Sequence, residues 1–161
     1  MQTASPLHIP EAYYLVLDLE ATCALKDRQI PRAQRETIEI GAVMLNARSL
    51  DVEGEFQCFV RPVLHPQLTA YCLQLTAITQ AEVDRAAPFA TGLAALQRWA
   101  SGFGHYCLCA WGDDDRQQLQ RDCSRHALDY PFGDRYLNLR TALTAGTRSL
   151  SLRAVRKTLN L

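Results

Sequence analysis

No apolar run in this chain approaches the roughly 20 residues that a membrane-spanning helix needs. The first ten residues, MQTASPLHIP, lack the charged start and apolar stretch of a secretion signal. We therefore expect a cytoplasmic protein with no membrane partner. CxxC spacing is missing too. The six cysteines (Cys23, Cys58, Cys72, Cys107, Cys109 and Cys123) sit mostly within apolar runs. They read as small buried hydrophobes in a reducing compartment, not as disulfides or a zinc site. There is no internal repeat and no linker. Net charge is absent as well, at +0, which argues neither for nor against a polyanionic partner. Acidic residues stop at Asp134, whereas Arg135, Arg140, Arg148, Arg153, Arg156 and Lys157 follow it. These six positive charges either meet phosphates or are neutralised by an acidic segment further along.

What is present fits one compact domain. The 161 residues are 48% apolar and 21% charged, an ordinary globular mix with enough chain for a sizeable core. Residues 1–11 are polar and proline-bearing, a terminal arm, and 12–161 form the domain. Tyr13 to Leu17 is a short apolar run without alternation, as in a central strand covered on both faces. A polar loop over 24–34 leads to a second strand, Glu36 to Leu45, and after a turn to a third, Gly54 to Val60. Helices are predicted over Pro66 to Leu75, over Thr79 to Ala86 with a Thr79/Glu82 capping box, and from Pro88 through Phe89, Leu93, Leu96 and Trp99. A fourth strand (Tyr106 to Trp111), an amphipathic helix (Asp113 to Leu128), a fifth strand (Tyr136 to Leu139) and a helix from Ser151 to Leu161 complete the order. The fold class is α/β, a five-stranded mixed sheet with helices on its faces.

Asp18 and Glu20 close the first strand as D-x-E. Two residues apart on a strand, they point to one face, and paired carboxylates there either hold a hard divalent cation or simply face water. The fourth strand also ends in acids, Asp113, Asp114 and Asp115. Asp113 and Asp114 read as helix-start acids favoured by the helix dipole.

The stretch Tyr14-Leu-Val-Leu-Asp-Leu-Glu-Ala-Thr-Cys23 resembles the first motif of the DEDDh exonucleases, and within them the ERI-type exoribonucleases, relatives of the histone-mRNA 3′ exonuclease. Glu36-Thr-Ile-Glu-Ile-Gly-Ala-Val43, Phe59-Val-Arg-Pro62, Leu75-Thr-Ala-Ile-Thr-Gln80 and Trp111-Gly-Asp-Asp-Asp-Arg116 continue the resemblance in order, over about residues 12–159. It implies a ribonuclease-H-like fold and 3′→5′ hydrolysis of single-stranded RNA to nucleoside 5′-monophosphates, with two Mg²⁺ or Mn²⁺ ions. Carried over by position, Asp18 would bridge two ions, Glu20 would bind one, and Asp115, four residues after Trp111, would bind the other. The backbone at Ala21 and Thr22 would hold the terminal ribose. Leu75, Thr76 and Ile78 would flank the terminal base, with Trp111 lining the pocket; for Leu75, Ile78 and Trp111, plain core packing stands beside that role. Ala77 replaces a glycine usual in the family. The family's closing H-x4-D, with its general base, does not occur in this sequence, and none of His8, His65, His105 or His126 is placed to substitute. The expectation from the sequence is thus a domain whose C-terminal helix is missing, leaving apolar surface for self-association. Two alternatives remain: a 3′-end binder with impaired turnover, and a DNA-proofreading exonuclease that shares every ligand.

Overall fold

The computed structural model describes residues 12–143. The expected arm, His8 and the helix from Ser151 lie outside the described residues. The elements are β1 (Tyr13–Ala21), β2 (Thr37–Asn46), β3 (Val52–Arg61), α1 (Ala70–Thr76), α2 (Gln80–Arg85), β4 (Ala87–Pro88), α3 (Phe89–Ser101), β5 (Tyr106–Ala110), α4 (Asp114–Arg125), β6 (Tyr136–Asn138) and α5 (Leu139–Leu143). They build a six-stranded sheet in the order β4-β3-β2-β1-β5-β6. The meander β1-β2-β3 is antiparallel, while β5 joins β1, and β6 joins β5, in parallel through helical crossovers.

β1 is an interior strand, as its apolar run implies, but its burial alternates. Leu15, Leu17 and Leu19 are buried, whereas Tyr14, Val16 and Glu20 are only half-buried and Asp18 is exposed. The buried side meets Ile40, Ala42 and Met44 of β2, then Phe89, Leu93 and Leu96 of α3 and Leu119 and Cys123 of α4. Removing a fully buried leucine such as Leu96 from this core would cost about 2–5 kcal/mol. α3 lies close because Gly92 has no side chain; a Cβ there would come 3.1 Å from Val60 Cγ2. Trp99 stands beside the buried stripe of α3 and packs against Phe56 and Phe103. No helix among the described residues is long and apolar enough to cross a membrane.

Local signals place several boundaries. Thr69, not Pro66, starts α1, its hydroxyl accepting the Cys72 N–H at 3.0 Å. Thr79 and Glu82 form both bonds of the capping box on α2. The sixth strand is β4, two residues that pair in parallel with Val60 and Arg61 of β3. Its length and its proline, which cannot donate to a ladder, hide it in the sequence and confine it to the sheet edge. Leu139 begins α5 instead of ending the fifth strand.

Candidate active site

β1 outlasts its neighbour. It pairs with β2 as far as Ala21, but with β5 only from Tyr13 to Val16. β5 ends at Ala110, and the chain turns through Gly112 at φ +90°, a conformation natural to glycine. A Cβ on Gly112 would also lie 2.6 Å from the Arg140 guanidinium. This turn launches α4, and Asp115 in its first turn reaches back so that its Oδ1 accepts the Leu19 N–H at 3.2 Å. A carboxylate from α4 is thereby tied to the β1 backbone at the residue that separates Asp18 from Glu20.

Because Leu17 and Leu19 face the core, Asp18 and Glu20 face the other side of the sheet. Opposite them on β2 stand Gly41, which adds no side chain, and Glu39, which adds a third acid on that face. Burial first, then the charges of Asp18, Glu39 and Asp115, raise the pKa of Glu20. Asp115 is pushed up to about 6 by burial and then by the charge of Asp18, against the opposing pull of its bond to Leu19. No cationic side chain contributes to either shift. The acids of two elements thus feel one another at the C-terminal end of β1. They are not already gathered around one ion-sized position: among the described residues no three His, Cys, Asp or Glu side chains form such a cluster. Asp114, by contrast, is ion-paired with Arg32.

The other sequence-derived positions fall around the end of β1. Thr22 is buried; its N–H donates to the Glu36 carbonyl at 2.8 Å and its hydroxyl accepts the Glu36 N–H at 3.0 Å. The Ala21 carbonyl accepts a bond from the Cys72 thiol. Leu75 on α1 is 61% exposed and free to touch a ligand, whereas Ile78 is buried in a small core with Cys23, Ile38, Cys72 and Val83. Thr76 bonds back to the Cys72 carbonyl, and Trp111 is half-buried in the turn before α4. Among the described residues the His126 ring stacks on Phe89, and no histidine charge acts on Glu20 or Asp115.

Two supporting acids went unnoticed in the sequence. The buried Glu36 carboxylate accepts the N–H groups of Val63, Leu64 and His65 at 2.8–2.9 Å, pinning the loop after β3 beside Thr22. Buried Asp122 accepts the Thr37 N–H and hydroxyl at 3.0 and 2.7 Å, the Gln118 amide at 2.9 Å, and an ion pair from Arg125. Gln118 also donates to the Arg35 carbonyl at 2.9 Å. Asp115, Gln118, Asp122 and Arg125 recur at three- and four-residue steps, so one side of α4 is a polar stripe clasping β1 and β2. That spacing is the signal that was available.

The chain resembles known proteins over most of its length. A family model described as exonuclease matches residues 15–160. The 3′-5′ exoribonuclease 1 of Rattus norvegicus is 36% identical over 135 residues, covering 80% of this chain and 39% of that protein. The ERI1 exoribonuclease 3 of Mus musculus is 36% identical over 140 residues, covering 81% of this chain and 40% of that protein. The chain therefore spans about two fifths of the length of these curated relatives. The nuclease domain of 3′hExo, a DEDDh family member bound to rAMP, superposes with a TM-score of 0.77 at 33% identity, over 84% of this chain and 70% of that one. Cell-death related nuclease 4 superposes at 0.83 with 23% identity, covering 94% and 56%, a likeness of fold. The α/β sheet is that of the ribonuclease-H-like DEDDh nucleases.

Proposed function

The chain belongs to the exonuclease (RNase_T) family, and on that premise we propose that it shortens single-stranded RNA from a free 3′ end, releasing nucleoside 5′-monophosphates. The observation that carries this reading is the Asp115–Leu19 bond, which ties an acid of α4 to the backbone of β1 beside its two acids. Divalent metal use is general in the family. The donor set suits Mg²⁺ or Mn²⁺: hard carboxylate oxygens, partly buried, mutually repelling, with no cationic side chain offsetting Glu20 or Asp115. Asp18, Glu20 and Asp115 would be the residues that hold the ions. Held by these residues, such ions would supply Lewis-acid charge to the scissile phosphate and lower the pKa of a bound water. The chain itself supplies position. Leu19 orients Asp115, and Glu36 locks Thr22 beside the place proposed for the terminal ribose. Leu75 offers an open apolar wall to the terminal base, and a ribose pocket can read the 2′-OH that separates RNA from DNA.

The test is a 5′-labelled RNA incubated with Mg²⁺ or Mn²⁺. Products should shorten stepwise from the 3′ end, circular RNA should survive, and Asp18→Asn should lower the rate by about 10²–10³-fold, the equivalent of several kcal/mol of transition-state stabilisation. Cleavage of circular RNA, or equal rates on RNA and DNA, would overturn it. One observation favours a second reading, a 3′-end binder without turnover: among the described residues no histidine charge acts on Glu20 or Asp115. Tight binding of the same RNA with no shortening is the outcome that selects it.

A further inference from the structure

Beyond the carboxylates, β1 runs into a loop over 24–31 that faces the start of α1. Between them lies a cavity of about 500 Å³, walled by Ala24, Leu25, Lys26 and Arg28 on one side and Thr69 and Tyr71 on the other. Loop and helix are tied together, since the Thr69 hydroxyl donates to the Cys23 carbonyl at 2.7 Å. The groove is therefore a fixed feature of the surface. Its chemistry is mixed in a specific way. Leu25 is 72% exposed and Tyr71 36%, so an aliphatic and an aromatic face both look outward. The acid in this loop, Asp27, is engaged by Arg35 at 2.8 Å. Lys26 and Arg28 form no ion pair among the described residues. Two free cations flanking exposed apolar faces suit a flexible polyanion whose bases can lie on a side chain.

The groove also lies near the site. Tyr71 and Leu75 are four residues apart on α1, hence on one face and about 6 Å apart along its axis. Ala24 follows Glu20 by four residues, within roughly 14 Å even for an extended chain. We propose that this groove is the entry track for single-stranded nucleic acid, holding the strand just upstream of its 3′-terminal nucleotide. Lys26 and Arg28 meet the phosphates; Leu25 and Tyr71 meet the bases. The inference rests on the reading that the terminal nucleotide sits beside Leu75.

The test uses the full chain, with AMP and a fluorescent RNA decamer protected by a phosphorothioate at its last linkage. Anisotropy gives decamer affinity across a salt series, and competition gives AMP affinity. In Lys26→Glu/Arg28→Glu the slope of log affinity against log salt should shrink by about 1.4, two single-strand phosphate contacts. In Tyr71→Ala decamer affinity should fall roughly 5- to 150-fold, the range for one lost base stack. AMP binding should hold in both variants. Unchanged decamer binding in both variants overturns the track while leaving the exonuclease reading intact. Equal loss of decamer and AMP places these residues in the terminal site and also overturns it. A parent protein that binds neither probe defeats the exonuclease reading itself, and the track with it.

Discussion

Asp122 is the most informative residue to remove. Its carboxylate is about 1% exposed and accepts from Thr37 twice, from Gln118 and from Arg125. Asp122→Ala deletes the acceptor and leaves four donors facing one another in a low-dielectric interior. Each bond to a charged partner is worth about 1.5–3 kcal/mol net, but the four share one carboxylate and do not add. Loss of one partner of a buried ion pair costs about 3–5 kcal/mol, and that range is expected here. For a domain of this size it corresponds to a melting point lower by roughly 10 °C. Thr37→Val, which removes only the hydroxyl donor, should cost about 1 kcal/mol. Asp122→Asn should fall between the two, because an amide can still accept from Thr37 but presents a donor to Arg125. Urea unfolding at constant m-value is the assay. A cost below about 1 kcal/mol for Asp122→Ala would refute the claim that the α4 stripe is a clasp. The same variant should also loosen Asp115, two helical turns upstream, so metal affinity ought to drop with stability.

Three further outcomes are expected. Ala77 ends α1 at φ 60°, a left-handed conformation that disfavours a side chain, so Ala77→Gly should raise stability by about 0.5–1 kcal/mol in the same urea assay. Gly112→Ala should do the reverse, costing about 1–3 kcal/mol in backbone strain and crowding Arg140, with lowered metal affinity by calorimetry. In chelator, Asp115 holds its proton up to about 6 in the folded state but releases it near 3.8 when unfolded. The folded form thus binds more protons between those values, and stability should fall as pH rises through about 4 to 6 and stay lower above. Asp115→Asn should flatten that fall in thermal melts.

The D-x-E strand end, the Thr79 capping box and the W-G-x-x-D turn were legible because each is written within ten residues of chain. Glu36 and Asp122 were not. The backbone groups they hold stand 27–29 and 85 residues away, and the spacing on α4 marks a polar stripe without showing whether it is buried or solvated. On α4 the acids and amides at 115, 118 and 122 look like an outward polar face until β1 and β2 are placed beside them. Arg32 is a loop cation until Asp114, 82 residues on, meets it. β4 escaped notice for a different reason: two residues carry no periodicity.

The site depends on a difference in strand length as much as on any acid. β1 continues past Val16 where β5 does not follow, and a backbone N–H left over by that mismatch is what Asp115 finds. Lengths are set by insertions and deletions, not by substitutions. Two residues added after Ala110 would let β5 extend its ladder alongside Leu17 and Leu19 with side-chain alternation preserved, and the N–H would gain a strand partner. Every carboxylate would survive in the sequence, the fold could be as stable as before, and Asp115 would have been evicted. A relative in this family can therefore keep all its acidic motif letters and still lose the arrangement, so the count of residues between Tyr106 and Asp115 is as diagnostic as their identities.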